Sequence, residues 1–418
     1  MELDLRIFMP KGMLEINGLS GGNCDGLVKF VLPACPVQHM TRRILFFSYW
    51  YPNAIKANQA IFARHHAHAL ATIATVEVLA VHILPGKTIY HERYEKEQDA
   101  SGLVTHRLYI ESRFWKWFYV ALPWQYLKLK GILRQHIKPN FDFDTIHSNV
   151  LYPCGIVGNW LSRYFGCVHV ITEHWSKLPK FFSRSVYRWS GKKAYQEAHA
   201  VTAVSQQLLD VMQGYRHNAH AAVVPNVIDS SRFFPEPEKP KHSILTFTAV
   251  AHWQAPKNPF YYLEALAKLH AKAALPEFQV ILVGEGSILN QVRKRSYPFP
   301  IQTPGNLEPE HLRRHLNACH VFLHGSDFET FSVVIVEALM CGIPCVVSPV
   351  GIAPQVIKSG NGYIAQNTVA DWQDKIVRVA NEKFKAESIA GSVGNQYSLT
   401  EVGMRFLEVY RAAKLVHD

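Results

Sequence analysis

Two acidic side chains, Glu329 and Glu337, stand in an otherwise apolar stretch, GSDFETFSVVIVEALMCGIPCVVSPVG, at residues 325–351. Glu329 falls in a loop opened by Gly325, Ser326 and Asp327. Glu337 falls inside an apolar segment, residues 331–340, that Cys341-Gly342-Ile343-Pro344 stops; Cys345-Val346-Val347 then reads as a short buried strand. Glutamate favours helix, so one reading of Glu337 is a carboxylate paired at the edge of a core helix. Its neighbours Val333 to Val336, Ala338 and Leu339 predict a helix buried nearly all round, where a charge needs a partner or a ligand. The other reading sets the helix N-terminus at a cleft. Its free N–H groups, on Phe331, Ser332 and Val333, would meet an anion, most simply a phosphate, and Glu337 would accept hydrogen bonds from sugar hydroxyls.

Other residue types fit the same chemistry. Lys257 stands just before a predicted helix over 259–270 and could hold a phosphate. A predicted strand over 168–172 runs into Glu173-His174-Trp175-Ser176, and open α/β sheets place ligands at strand C-terminal ends. Lys177 and Lys180 follow and could greet a phosphate-bearing acceptor. The strand over 280–283 ends in Gly284-Glu285-Gly286, a weak signal taken alone. His65, His66 and His68 lack standard metal spacing and a companion carboxylate, so they read as solvated or packing residues, and no metal is expected.

These residues need a scaffold of repeated strand, loop and helix. Strands are expected over 44–47, 76–81, 200–205, 244–250 and 321–324, with helices over 60–70 and 400–410. Residues 85–112 are polar and read as loop. Asn226 and Asp229 read as hinge and turn residues, and the prolines at 235, 237 and 240 mark a linker. An aromatic cluster, from Phe114 to Tyr126, lies among Lys116, Lys128, Lys130 and Arg134. It reads either as an aromatic core helix or as a patch lying on anionic lipid.

The chain has 418 residues, 48% hydrophobic and 18% charged, which suits two or three globular domains. No run of 18 apolar residues offers a membrane span. The 7 cysteines have no metal spacing or pairing logic, which suits a reducing cytoplasm. A net charge of +11 fits anionic substrates or lipid; without zinc-finger spacing or a dense basic stripe, nucleic acid is not expected. Residues 1–40 are glycine-rich and weakly patterned, with no convincing signal peptide. They read as a mis-assigned start ahead of a natural Met40, or as a disordered or membrane-touching arm.

Glu329, Glu337, Ala338, Gly342, Pro344, Val346 and Val347 together resemble the donor-site motif of the retaining family 4 glycosyltransferases: Glu, seven residues, Glu, then Ala-x-x-x-Gly-x-Pro-Val-Val. Two frequent family glycines are Thr330 and Ser332 here. The segment 251–258 resembles the family's Gly-Arg-Leu pattern ending in Lys-Asn, with Lys257 matching its lysine and His252 standing where arginine is expected. His174 matches the histidine of the family's Thr-x-His position, and Ala60 stands near its usual Gly-x-Phe glycine. The likeness covers residues 41–412.

It implies a GT-B architecture, α/β, with two Rossmann-like domains facing across a cleft: an acceptor-side domain over 41–229, a donor domain over 230–395, and a last helix over 396–418 returning towards the first. It implies a nucleoside-diphosphate-sugar donor, no cofactor, and a glycan or lipid-linked glycan acceptor of surface polysaccharide or lipopolysaccharide synthesis, made at the inner face of the cytoplasmic membrane. In that likeness Glu337 binds ribose and Glu329 lies by the transferred sugar and its phosphate. Lys257, His252, Gly284 and the Thr330–Val333 backbone frame the diphosphate, and His174 contacts the sugar from across the cleft. The rival readings are a catalytically decayed sugar-nucleotide scaffold, supported by His252 and the lost glycines, and a nucleotide-sugar epimerase, which would use no acceptor.

Overall fold

The computed structural model describes residues 42–53, 60–236, 238 and 240–414. The expected extension over 1–40 and part of the loop before Ala60 lie outside them.

Two sheets form the frame. The first contains β1 (Arg43–Ser48), β2 (Thr75–Pro85), β3 (His91–Gln98), β4 (Val104–Ser112), β5 (Thr145–Asn149), β6 (Val168–Glu173), β7 (Ala200–Ala203) and β8 (Ala221–Val223), in the order β3-β4-β2-β1-β5-β6-β7-β8. The second contains β9 (Leu245–Val250), β10 (Phe278–Val283), β11 (Ile301–Gly305), β12 (Val321–His324), β13 (Cys345–Val347) and β14 (Gly362–Ile364), in the order β11-β10-β9-β12-β13-β14. All pairings are parallel except β3 with β4. Parallel strands are covered by helices on both faces, so they are apolar throughout rather than alternating. Ile44 to Phe47 and Val280 to Val283 show this, each at most 4% exposed.

The strand order reverses between β1 and β5 in one sheet and between β9 and β12 in the other. At such a reversal the connections leave to opposite sides and open a crevice at the strand C-terminal ends. The loops after β9 and β12 carry Lys257 and Glu329. The fold therefore assembles the candidate site from segments 72 residues apart.

The polar stretch expected as loop over 85–112 is instead the β3–β4 hairpin. Its charges misled because β3 is an edge strand, paired on one side only, and keeps them solvated. Cross-strand contacts suit them: Arg107 pairs with Glu97, and Tyr94 hydroxyl meets His106 Nδ1.

The last helix, Leu399–Lys414, packs on Ile61–Ala71 of the first domain, burying Val402, Phe406, Leu407 and Tyr410. Each such side chain removed from water contributes about 1.5–3 kcal/mol. Tyr410 hydroxyl also meets His147 Nδ1 at 2.6 Å. His66, one of the three clustered histidines, is buried here with Nε2 3.0 Å from the Pro225 carbonyl, while His68 pairs with Asp99.

Candidate functional site

The loop after β9 is sewn to the loop after β12. Asn258 N–H donates to the Gly325 carbonyl (2.9 Å), Asp327 N–H to the Pro256 carbonyl (3.0 Å), and Ser326 hydroxyl to the Pro256 and Phe328 carbonyls. A Cβ at Gly325 would stand 2.4 Å from the Asn258 carbonyl, so only glycine permits this approach. Ser348, after β13, and Asn367, after β14, brace the second loop: Ser326 N–H donates to Ser348 Oγ, which donates to Asn367 Oδ1. Gly284 supports the first loop from β10. It has φ +110°, and a Cβ there would lie 1.9 Å from the Ala251 carbonyl.

This stitching sets Lys257 Nζ on Glu329 Oε1 in a short ion pair. His324, at the end of β12, puts Nε2 3.2 Å from the same carboxylate oxygen and 3.0 Å from Ser332 Oγ. Burial pushes the Glu329 carboxyl up, but the hydrogen bond and charge of His324 and then Lys257 outweigh it and hold the pKa down at about 2. Burial and the adjacent Lys257 charge lower the His324 pKa, against the hydrogen bond and charge of Glu329, which raise it; its Nε2 faces both Glu329 Oε1 and Ser332 Oγ.

The helix after this loop is Val333–Met340, two residues later than its expected start. Ser332 precedes it in the left-handed region (φ 79°, ψ 70°), a conformation that costs a non-glycine residue roughly 1–2 kcal/mol. The contact from Ser332 Oγ to His324 offsets part of that strain. The side chain of Ser332 caps no N–H group, and Ile335 N–H turns back to the Ser332 carbonyl, so Val333 and Val334 N–H have no acceptor within the helix. Phe331 lies outside the helix; its ring is in the core against Tyr397 and its carbonyl accepts from Ile352 N–H. Thr330 accepts a hydrogen bond on its carbonyl from Ser205 hydroxyl (2.7 Å), and Gly351 N–H donates to Gln207 Oε1 (2.6 Å). These two bonds tie the loops after β12 and β13 to the segment that follows β7.

The expected all-round burial of this helix is incomplete. Val333, Val334 and Glu337 form a half-buried stripe at i, i+1 and i+4. Among the described residues the Glu337 carboxylate has no hydrogen-bond or ion-pair partner, and burial alone pushes its pKa up to about 7. A carboxylate left so is a ready acceptor for ligand hydroxyls.

His174 follows β6, as its sequence position implies, but is packed inward. Its ring lies 4.4 Å from Phe62 and 4.8 Å from His66. Burial, then the neighbouring His66 and His147, hold it well below the usual histidine range. Neither ring nitrogen is in good hydrogen-bond geometry with a described residue, but the Asn226 side chain stands close enough to act on the ring and raise its pKa slightly against that burial. Lys177 and Lys180 are exposed at the start of the Leu178–Arg184 helix. His252 is exposed and forms no ion pair among the described residues, so Lys257 alone of the two joins the cluster.

Two residues that sequence reasoning missed organise the site. His324 read only as a strand residue, since nothing local marks its approach to Glu329. Glu173 read only as part of a polar strand end. It is buried and accepts from Leu151, His174 and Trp175 N–H and from Tyr195 hydroxyl, fixing the ends of β5 and β6; burial still pushes its pKa up to about 7 against those four donors. Among the described residues no group of three His, Cys, Asp or Glu is placed to hold a metal ion.

A test of His324 separates positioning from packing. His324→Phe should lower kcat by about tenfold, the cost of a hydrogen bond to a charged group. It should also shift the acid limb of the pH–rate profile upward as Glu329 loses a donor, and His324→Gln should restore most of both. An acid limb unmoved in His324→Phe would assign His324 to packing alone.

Known proteins match this arrangement. Residues 230–391 match the model described as glycosyl transferases group 1, and residues 59–232 the model of glycosyltransferase family 4. The chain is 26% identical over 208 residues to the phosphatidylinositol N-acetylglucosaminyltransferase gpi3 subunit of Schizosaccharomyces pombe, covering 48% of this chain and 45% of that protein. It is 26% identical over 271 residues to the UDP-Gal:alpha-D-GlcNAc-diphosphoundecaprenol alpha-1,3-galactosyltransferase of Escherichia coli, covering 59% and 68%. In fold it is similar to sucrose-phosphate synthase of Thermosynechococcus elongatus, with a TM-score of 0.68 at 18% identity, over 90% of this chain and 100% of that one. With its two facing α/β sheets and both halves matched in order, the chain belongs to the family 4 glycosyltransferases of GT-B fold.

Proposed function

We propose that the protein transfers a sugar, with retained anomeric configuration, from a nucleoside-diphosphate-sugar to a glycan or lipid-linked glycan of surface polysaccharide or lipopolysaccharide synthesis. The observation that carries the donor half is the Lys257–Glu329–His324 cluster beside a helix start whose first amides have no intrahelical acceptor, with unpartnered Glu337 one turn on. On this reading Glu337 takes the ribose hydroxyls. Lys257 and the Val333 and Val334 amides take the diphosphate, where they stabilise the charge that grows as the glycosidic bond breaks. Glu329 orients the sugar, and His174 approaches it from the first domain. The acceptor hydroxyl attacks on the face the diphosphate leaves, and the departing phosphate oxygen takes its proton. Closure of the cleft keeps out water that would hydrolyse the donor. The division at about residue 229 into an acceptor side and a donor side belongs to the same reading.

The acceptor half rests on Lys177 and Lys180, on the basic balance, and on the E. coli relative, which by its name acts on a diphosphoundecaprenol-linked acceptor. Among the described residues no helix is long and apolar enough to cross a membrane, so the proposed association with the inner face of an anionic cytoplasmic membrane is peripheral. The test is a thermal-shift screen of UDP-, GDP- and ADP-sugars, then NMR of the product formed with the best donor. Stabilisation by one donor class and an α-linked product from an α-donor are expected. A β-linked product overturns retention, and no stabilisation by any nucleotide sugar overturns the donor site.

A further inference from the structure

The aromatic stretch over 114–126 is neither wholly core nor wholly surface. It forms the helices Trp115–Val120 and Leu122–Ile132. Phe118, Tyr119 and Trp124 are packed in, while Phe114, Trp117 and Val120 are about half exposed. A second segment, unmarked by any motif, carries the same combination more sharply. Between the helix Leu178–Arg184 and the first turn of the helix Arg188–Glu197 the chain presents Val186, 86% exposed, and Trp189, 69% exposed. Residues 177–193 hold six Lys and Arg and no Asp or Glu. Arg184, Arg188 and Lys193 are exposed around the tip, and Lys192 Nζ lies 5.5 Å from the Trp189 ring.

The two segments belong to one face. Trp115–Val120 follows β4 and the Val186–Trp189 tip follows β6; these strands are linked through an unbroken parallel series, so both segments leave the same edge of the sheet, which also carries His174. Tyr152 joins them: its ring lies 5.9 Å from Tyr119, 5.4 Å from Phe181 and 6.4 Å from Tyr187. Lys193 leans on Glu197 (3.7 Å), while Arg184, Arg188 and Lys192 flank the exposed tryptophan and valine, the pattern of a tip that enters a bilayer interface while its bases meet anionic headgroups. Isolated cations would be enough for an acidic polymer, but they give no reason to leave the indole and valine in water.

We propose that Val186 and Trp189 form an insertion tip that, with the Phe114–Trp117–Val120 patch beside it, seats the first domain on an anionic bilayer and turns the edge bearing His174, Lys177 and Lys180 towards it. This rests on the lipid-linked acceptor proposed above, and it sets where that acceptor enters: laterally from the membrane, between the two apolar segments.

Co-sedimentation with phosphatidylcholine vesicles, with and without phosphatidylglycerol, tests the tip without donor or acceptor, so it can fail while the transfer reading stands. The full chain should bind only the anionic vesicles, and high salt should weaken binding. Val186→Asp/Trp189→Ala and Arg184→Glu/Arg188→Glu should each weaken it by at least about fivefold, the effect of roughly one basic contact. Both variants alter exposed side chains, and an unchanged melting temperature shows that they fold. No binding to anionic vesicles overturns the proposal. So does binding lost in Arg184→Glu/Arg188→Glu but intact in Val186→Asp/Trp189→Ala, which would mark a surface for an acidic polymer. Full binding in all variants overturns it equally.

Discussion

Lys257→Ala should lower kcat by about 10²–10³, the scale of losing one preorganised group that stabilises charge in the transition state. It should weaken a nucleoside diphosphate far more than the matching nucleoside, since the proposed role of Lys257 is to hold phosphate and not the base. The ion pair complicates a single substitution. Both side chains are less than one-fifth exposed, and removing the ammonium leaves Glu329 buried with only His324 beside it. Breaking a buried pair in this way costs roughly 3–5 kcal/mol, an upper bound here because neither group is fully buried. The folded Glu329 carboxyl, near 2, lies below its usual 4.5, so its contribution to stability is present above pH 4.5 and fades as the pH falls towards 2. Lys257→Ala should shrink that dependence. The double variant Lys257→Ala/Glu329→Gln should recover much of the lost stability but none of the diphosphate affinity. Calorimetry that finds equal losses for diphosphate and nucleoside would remove Lys257 from the phosphate site.

That pairing bears on how the donor is met. Glu329 and Lys257 satisfy each other in this structure, so an incoming diphosphate must share the ammonium rather than find it free. An ammonium has three donors, and one suffices for Glu329. The pair therefore aims Lys257 without using it up. His252, standing where a guanidinium is expected, is exposed and outside the cluster, which leaves the helix amides and Lys257 as the groups proposed to bind phosphate.

Much of this was legible in sequence because it depends on local pattern. The buried runs at β1, β10 and β13 are continuous and apolar, and the Cys341-Gly342-Ile343-Pro344 stop follows its helix directly. The hairpin of β3 and β4 was not legible, because a charged edge strand and a polar loop have the same composition. The start of the helix at Val333 was missed because Ser332, not a glycine, takes the left-handed turn, held by a histidine eight residues earlier. His324 and the Lys257–Glu329 pair depend on loops brought together by two different strands, and no spacing along the chain encodes that approach. The inward packing of His174 has the same origin: Phe62 and His66 come from a helix more than a hundred residues earlier.

Glu337→Gln should make the ligand-free protein more stable above pH 7 and at the same time weaken its hold on a ribonucleotide. The folded carboxyl is pushed up to about 7 from a usual 4.5, by burial with no compensating partner. The sign follows from that direction. Below pH 4.5 the group is protonated folded or unfolded and costs nothing; between 4.5 and 7 the unfolded chain ionises first, and the penalty grows; above 7 it is full. Two to three pKa units correspond to roughly 3 kcal/mol, an upper figure for a side chain that is only half-buried. A neutral amide of the same shape removes that penalty, so the melting-temperature gain over wild type should be present at pH 8 and vanish at pH 4. A carboxylate serving the fold would behave in the opposite way, with glutamine lowering the melting temperature at pH 8. The ligand arm is independent of stability. If Glu337 accepts from both ribose hydroxyls, Glu337→Gln should cost a ribonucleotide about tenfold or more in affinity, the worth of a hydrogen bond to a charged group. The 2′-deoxy form, already lacking one of those bonds, should lose less. Equal losses for the two nucleotides, measured by calorimetry at pH 8 where the carboxylate is ionised, would take the ribose away from Glu337.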